Sequence, residues 1–437
     1  MTEQLITEYE RKAKEYYDKA IAVLNKKQKV SSANTRTRED TAIILDLLDS
    51  SMVQKPLTAE QVLNTDTWNG LEKDFVVCSE HDAGRIFDRQ VPRFPILVGP
   101  LTPTTGSIKG FLNAIDPEAN IDFHDFGLDA SADVHIPRTE KASDAIKMFE
   151  DENRIDPLNF LDLHILKDNP LPSFLRQRKD FKILEFSHAG KRKRTSQRNA
   201  ADLDRWTSFQ LLASEGAVHL PHIDHHGMNT VVFNEEGHKL WLMWPGLGLD
   251  GIKKWRLGEP LQGGLPVYVP PGYVLWQPLG TLHAPITITK CLMRGRMLLH
   301  SSQLLDILQY TEAEIKDPDI TNETFCRQIH ERMKGILNLW KKESDLPELC
   351  QKTFKWPPSE TQKECEKIYK WLESGCKCTT RTCENCICAH NETKCDQRCR
   401  HGLVATNCRN LKCETPRGDD FSGILKAKEK KGKSRSR

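Results

Sequence analysis

The sequence predicts an α+β fold, a sandwich or barrel of short strands with helices before and after it. Three observations predict it. Between 209 and 301, β-rich runs recur, divided by Pro245-Gly246, Gly263-Gly264, Pro270-Pro271-Gly272 and Pro278. Many short strands separated by turn residues suit two packed sheets better than alternating β/α units. Before this stretch, Ile6, Tyr9, Ala13, Tyr16, Ala20 and Leu24 recur at helical spacing. After it, residues 303–375 return to helical patterning, as in NETFCRQIHERMKGILNLW at 322–340.

The remaining elements follow from local signals. The first helix presents one apolar face, which predicts docking on a core. Short helices are expected at 41–48 and at 57–63, the latter with Thr58 as N-cap. Strand-like runs stand at 75–78, 94–98 and 121–126, with a helix near 108–115 and another short one within 130–150. LNFLDL at 158–163 is an apolar run, and the alternation in FKILEF at 181–186 predicts a strand. The β-rich stretch divides into strands at 209–214, 219–224, 230–234, 238–244, 266–269, 273–277, 282–289 and 291–299.

The 437 residues carry 63 Lys and Arg against 61 Asp and Glu, a net charge of +2. So balanced a chain has no overall electrostatic claim on nucleic acid, and any such contact must come from a local patch. One patch is AGKRKRTSQR at 189–198, an exposed basic loop that reads equally as a nuclear-import signal or a solvated charge run; the other is the basic end KAKEKKGKSRSR. No apolar run reaches the roughly 20 residues of a membrane span. The charged N-terminal stretch lacks the apolar core of a secretory signal. The expectation is an intracellular protein without membrane partners.

The string ASEGAVHLPHIDHHGMNTVVFNEEGHKLWLMWP, 213–245, contains His222-Ile223-Asp224. Side chains at i and i+2 of a strand point the same way, so His222 and Asp224 can reach one metal ion from one strand. His283, just before an apolar strand, is the best third ligand. Two histidines and one carboxylate leave coordination positions open, the pattern of non-haem Fe(II) oxygenases. His219, His225 and His226 lie close enough to compete for these roles.

Residues 209–300 resemble the JmjC family, most closely its fungal members. FQLLASEGA resembles the strand and glycine turn that lead into the family's His-x-Asp pair. GHKLWLMWP resembles the segment that carries the family's lysine, and PVYVPPGYVLWQPLGTLHAPIT resembles the strand pair ending on the distal iron ligand. GRIFDRQVPRFPILVG and PLNFLDL look like the approach to such a domain. The resemblance covers roughly 75–301 and implies a double-stranded β-helix of the cupin type. It implies Fe(II) on His222, Asp224 and His283, and 2-oxoglutarate as co-substrate, with its far carboxylate on Lys239 and further polar contacts from Asn229 and Thr230. Two places depart from the family. His219 stands where many members have a co-substrate Thr, and Pro278-Leu279-Gly280 replaces a second Pro-Gly.

The 14 cysteines are unevenly placed, and nine of them fall at Cys376, Cys378, Cys383, Cys386, Cys388, Cys395, Cys399, Cys408 and Cys413. In a reducing compartment, close pairs of this kind predict zinc. Ile387, Leu403, Val404 and Leu411 make too small a core to fold the segment alone, whereas each structural zinc contributes roughly 10–16 kcal/mol. The segment resembles pre-SET and CXC clusters, which implies three zinc ions with bridging thiolates; two ordinary four-ligand sites are the alternative.

The expected organisation is therefore a helical region at 1–74, a JmjC-type barrel at 75–301, a helical region at 302–375, a zinc module at 376–413 and a basic tail at 414–437. The expected function is Fe(II)/2-oxoglutarate-dependent oxidation of a protein. The resemblance points to a nuclear, chromatin-linked lysine demethylase or a protein hydroxylase, with a histone as candidate substrate and a weak nucleic-acid contact through the tail. The alternatives are a catalytically silent chromatin scaffold and a zinc-dependent interaction module.

Overall fold

A computed structural model describes residues 2–30, 35–101, 106–128, 137–163, 165, 169–187, 207–321, 328–351 and 353–375. The cysteine-rich stretch 376–413, the tail 414–437 and the basic segment 189–198 lie outside these residues.

The fold is α+β. Its strands are β1 (Val76–Cys78), β2 (Ile96–Val98), β3 (Asn120–Asp125), β4 (Arg138–Lys141), β5 (Leu158–Leu163), β6 (Ser208–Ala213), β7 (Asn229–Glu236), β8 (Lys239–Trp244), β9 (Leu265–Val269), β10 (Val274–Gln277), β11 (Leu282–Thr287) and β12 (Cys291–Leu298). The larger sheet runs β1-β2-β10-β7-β12-β6-β5-β3-β4, and the smaller runs β11-β8-β9. All pairings are antiparallel except β1 with β2. Every residue of β8, β9, β10 and β11 is buried. That explains why these strands read as apolar runs such as LWLMW and VLW rather than as a clean alternation. A hydrogen bond of 3.0 Å from Trp241 Nε1 on β8 to Gln277 Oε1 on β10 links the two sheets through the interior.

The first helix, Thr2–Lys29, docks as its pattern predicts: Ile6, Tyr9, Ala13, Ala20 and Leu24 are buried. It also covers the edge of the smaller sheet. Tyr9 Oη donates to the Tyr268 carbonyl at 3.2 Å and accepts from the Tyr268 amide at 3.1 Å, meeting backbone groups that an edge strand leaves open. Tyr16 stacks on Tyr268 with ring centres 4.4 Å apart.

Several local readings change. FKILEF is not a strand: Lys179–Lys182 is a 3-10 turn and Ile183–Phe186 one helical turn. Burial of Phe181 and Ile183 produces the alternation, and so short a window cannot separate the two periods. The 219–224 run forms no continuous strand among the described residues; with the residue before it, it pairs at two bridges, Val218 with Ile286 and His222 with His283. Four steps on one chain face three on the other, a bulge that holds Pro221, whose missing N–H suits an interrupted ladder. Helices at Glu80–Arg89 and Gly248–Arg256 and strand β4 were not expected. Ser79 caps the first of these by accepting from the Asp82 amide at 3.2 Å. On the C-terminal side, the helices Leu304–Lys316, Gln328–Ser344 and Gln362–Glu373 follow β12.

Candidate metal centre

His222 and His283 face each other across the bridge that joins the bulged strand to β11. Each amide donates to the other's carbonyl, at 3.0 and 2.9 Å, and the imidazole centres lie 4.4 Å apart. Asp224 follows His222 with extended backbone, φ −67° and ψ 159°, and brings its Oδ1 to 3.7 Å from His283 Nε2. Donor atoms from all three residues fall within 4.8 Å of one another, and all three side chains are buried. The sequence thus names three residues that the fold does bring together.

Hydrogen bonds fix which atoms they present. His222 Nδ1 contacts the Leu220 carbonyl at 2.8 Å, and His283 Nδ1 contacts that of Thr281 at 3.1 Å. A carbonyl can only accept, so both protons sit on Nδ1 and Nε2 is the ring atom that carries the lone pair in each. Asp224 Oδ2 accepts from Gln277 Nε2 at 2.6 Å and from the Thr230 hydroxyl, while Oδ1 faces His283. Partners on the far atoms are what holds metal ligands in orientation. Burial pushes the His283 imidazole down to about 4 and raises the Asp224 carboxyl, the latter opposed by His222 and by the Thr230 and Gln277 hydrogen bonds. Neutral imidazoles are ligand-competent, and an arriving cation supplies the charge that favours the ionised carboxylate.

The register of β8 against β11 settles where Lys239 points. Lys239 pairs with Thr287, Trp241 with Pro285 and Met243 with His283. Directly paired residues share a face, so Lys239 and Thr287 lie on the His283 face. Trp241 stacks parallel to His283, with ring centres 5.8 Å apart and planes at 12°. Lys239 is buried, and burial lowers its ammonium. It lies 5.5 Å from the Trp241 ring, and among the described residues no carboxylate pairs with it. Among the described residues the buried Thr287 hydroxyl has no hydrogen-bond partner. His219 is half-buried, in contact with Asn159 Nδ2. Burial, then the neighbouring His222 and Lys239, hold its imidazole well below the ordinary range.

Asn229 and Thr230 separate. As neighbours on β7 they face opposite ways. Thr230 supports Asp224, whereas Asn229 turns from the centre. It donates to the Leu298 carbonyl at 3.2 Å and to Gln303 Oε1 at 2.7 Å, and it accepts from the Leu279 amide at 2.9 Å. Its role is to anchor the loop that leads to His283. Arg294, paired with Glu235, and Arg296, bound to the Asn169 carbonyl at 3.0 Å, line a separate 240 Å³ cavity. Sequence reading missed Gln277, Trp241 and Thr287. Trp241 and Thr287 were signalled only by even spacing along a strand from Lys239 and His283; Gln277, on a strand with no assigned residue, carried no signal.

A second buried group, His225, His226 and Glu314, lies beside the first. Burial alone would raise the Glu314 carboxyl, but His226 and His225 hold it well below the usual carboxylate range. Both groups have donor sets that could hold a metal ion. Among the described residues no helix is long and apolar enough to cross a membrane. No family model matches the chain, and no curated protein matches it.

Proposed function

We propose that this chain is an Fe(II)- and 2-oxoglutarate-dependent oxygenase of the JmjC type that acts on a protein. The observation that carries the reading is the convergence of His222, Asp224 and His283, whose donor atoms lie within 4.8 Å of one another while hydrogen bonds hold the Nδ1 atoms and Oδ2 on their far sides. Two imidazoles and a carboxylate on one side of a metal are the donor set of non-haem iron oxygenases. The strand order supports the same reading. β6, β12, β7 and β10 are neighbours in one sheet, and the bulged strand, β11, β8 and β9 form the other. A double-stranded β-helix has this arrangement.

Lys239 and Thr287 fit a carboxylate co-substrate. A buried ammonium with no carboxylate beside it and a buried hydroxyl without a hydrogen bond are costly, and an anion with several acceptor oxygens relieves both. Bound iron and 2-oxoglutarate would supply the dioxygen chemistry that hydroxylates a C–H bond. On an N-methyl group this ends in loss of formaldehyde; on a side-chain carbon it ends in a stable alcohol. The chain's own residues prepare the site. Trp241 lies parallel to the His283 ring and limits how it can turn. His219 stays neutral, so it neither repels the cation nor competes for the anion.

A methylated histone as substrate, and a nuclear setting, rest on the resemblance of 209–300. Zinc on the nine cysteines of 376–413 rests on their spacing. The test is succinate production by the full chain with iron, ascorbate and 2-oxoglutarate, on a panel of methylated histone peptides. Turnover lost in Asp224→Ala supports the oxygenase. Turnover no greater than in that variant overturns it and favours a silent scaffold, the reading that His219 in the family's Thr position supports. Elemental analysis of the same preparation should find at least two zinc ions.

A further inference from the structure

Helix Leu304–Lys316 carries Tyr310 and Glu314 one turn apart, so both face the same neighbours. Those neighbours are the two loops that bring Asp224 and His283 to the centre. Glu314 Oε2 accepts the His226 amide at 2.9 Å and lies 3.0 Å from His226 Nδ1, and Oε1 lies 3.3 Å from His225 Nδ1. All three side chains are buried. His226 has φ +55°, alone among the described non-glycine residues in the left-handed region, and Gly227 follows at +61°. A non-glycine residue stays there only where its surroundings over-determine it. Here the Glu314 carboxylate does so, holding both the amide and the imidazole.

Tyr310 sets the second loop. A methyl group placed on Gly227 or on Gly280 would overlap its ring. The Gly280 amide donates to the Gly227 carbonyl at 2.9 Å, which ties the two loops together over that ring. Past the helix, the Ile223 amide donates to the Ile320 carbonyl at 2.9 Å, within the turn Pro318–Ile320. Asp224 therefore stands between Ile223 and His226, both gripped by one C-terminal element.

We propose that Glu314, backed by Tyr310, is a positioning clamp that fixes Asp224 and His283 at ligand distance before the metal arrives, and that the His225–His226–Glu314 group holds no ion of its own. Both Glu314 oxygens already meet nitrogen donors at hydrogen-bond length, one of them a backbone amide that no metal can replace. The clamp rests on the reading of His222, Asp224 and His283 as the metal centre.

The experiment titrates the full chain with Mn(II) and follows the free ion by its paramagnetic resonance, because Mn(II) favours oxygen and nitrogen over thiolates. The wild type should bind one Mn(II), and Asp224→Ala should lose it. Glu314→Gln should keep a single site weakened roughly 10- to 100-fold, the usual effect of removing a partner that orients ligands. His226→Asn keeps the amide and tolerates the backbone angle, so it should fold and show a smaller weakening in the same direction. Wild-type affinity in both variants overturns the clamp. Two Mn(II) ions in the wild type, with Glu314→Gln losing one and leaving the other unchanged, also overturn it, because the group is then a metal site. Binding that survives Asp224→Ala overturns the metal-centre reading itself, whatever the other variants do.

Discussion

Gln277 donates its amide to Asp224 Oδ2 at 2.6 Å from the middle of the larger sheet. Its other end accepts from Trp241 Nε1, so one amide orients both the carboxylate of the candidate metal centre and the indole stacked on the His283 imidazole. Gln277→Leu should therefore weaken Mn(II) binding roughly 10- to 100-fold. The stranded indole N–H should also cost about 1–3 kcal/mol of stability. Metal titration and urea unfolding of the same variant measure both, and unchanged metal affinity would show that Thr230 alone suffices to hold Asp224.

Lys239→Met keeps the side-chain volume and removes the charge. If the buried ammonium holds the far carboxylate of 2-oxoglutarate, the apparent Michaelis constant for that co-substrate should rise on the order of 10- to 100-fold. Mn(II) affinity should not change, because no metal ligand is touched. A constant equal to the wild type would remove Lys239 from the site.

Gly280 and Gly263 share φ +66°, but only Gly280 lies against Tyr310; nothing stands within 4 Å of a methyl group placed on Gly263. Gly263→Ala should cost about 1–2 kcal/mol from backbone strain alone. Gly280→Ala should cost about 1–3 kcal/mol more from overpacking. Equal losses in urea unfolding would mean that Tyr310 yields at little cost.

His300 gives the fold an acid limit away from the metal ligands. Burial pushes its imidazole from 6.5 down to about 4, and its Nδ1 accepts from the Ser302 amide at 3.2 Å. Between these values the unfolded chain binds a proton that the folded chain does not. Stability from this group is thus full above about 6.5 and is lost as the pH falls towards about 4. The loss between pH 7 and pH 5 should be about 2 kcal/mol. His300→Asn removes the titration and should shrink the difference in unfolding free energy between those pH values by that amount. A difference as large as in the wild type would place the acid sensitivity elsewhere.

The centre was legible in the sequence because strand geometry is simple. His222 and Asp224 are two apart, and His283 stands at the head of a run that could only be a buried strand. The Lys239 position came from the resemblance, and its register with Thr287 puts it on the His283 face. The resemblance also gave Asn229 and Thr230 one role, but neighbours on a strand face opposite ways, and only Thr230 meets Asp224. The period-two reading failed at 181–186, where burial alternates without a ladder. The Glu314 support was not legible at all. His226 and Glu314 are separated by 88 positions, and nothing local marks a residue whose partner is set by the packing of a distant helix.

The contact of Tyr9 with the backbone of Tyr268 has a consequence for synthesis. Domains emerge N-terminus first from the ribosome. The helix that seals β9 is therefore complete some 240 residues before β9 itself appears. A nascent sheet margin is the place where one polypeptide recruits another. In this chain the cover is waiting when the margin forms. A chain that starts after residue 30 should accumulate as strand-paired aggregates during expression, even if every residue of the metal centre is intact.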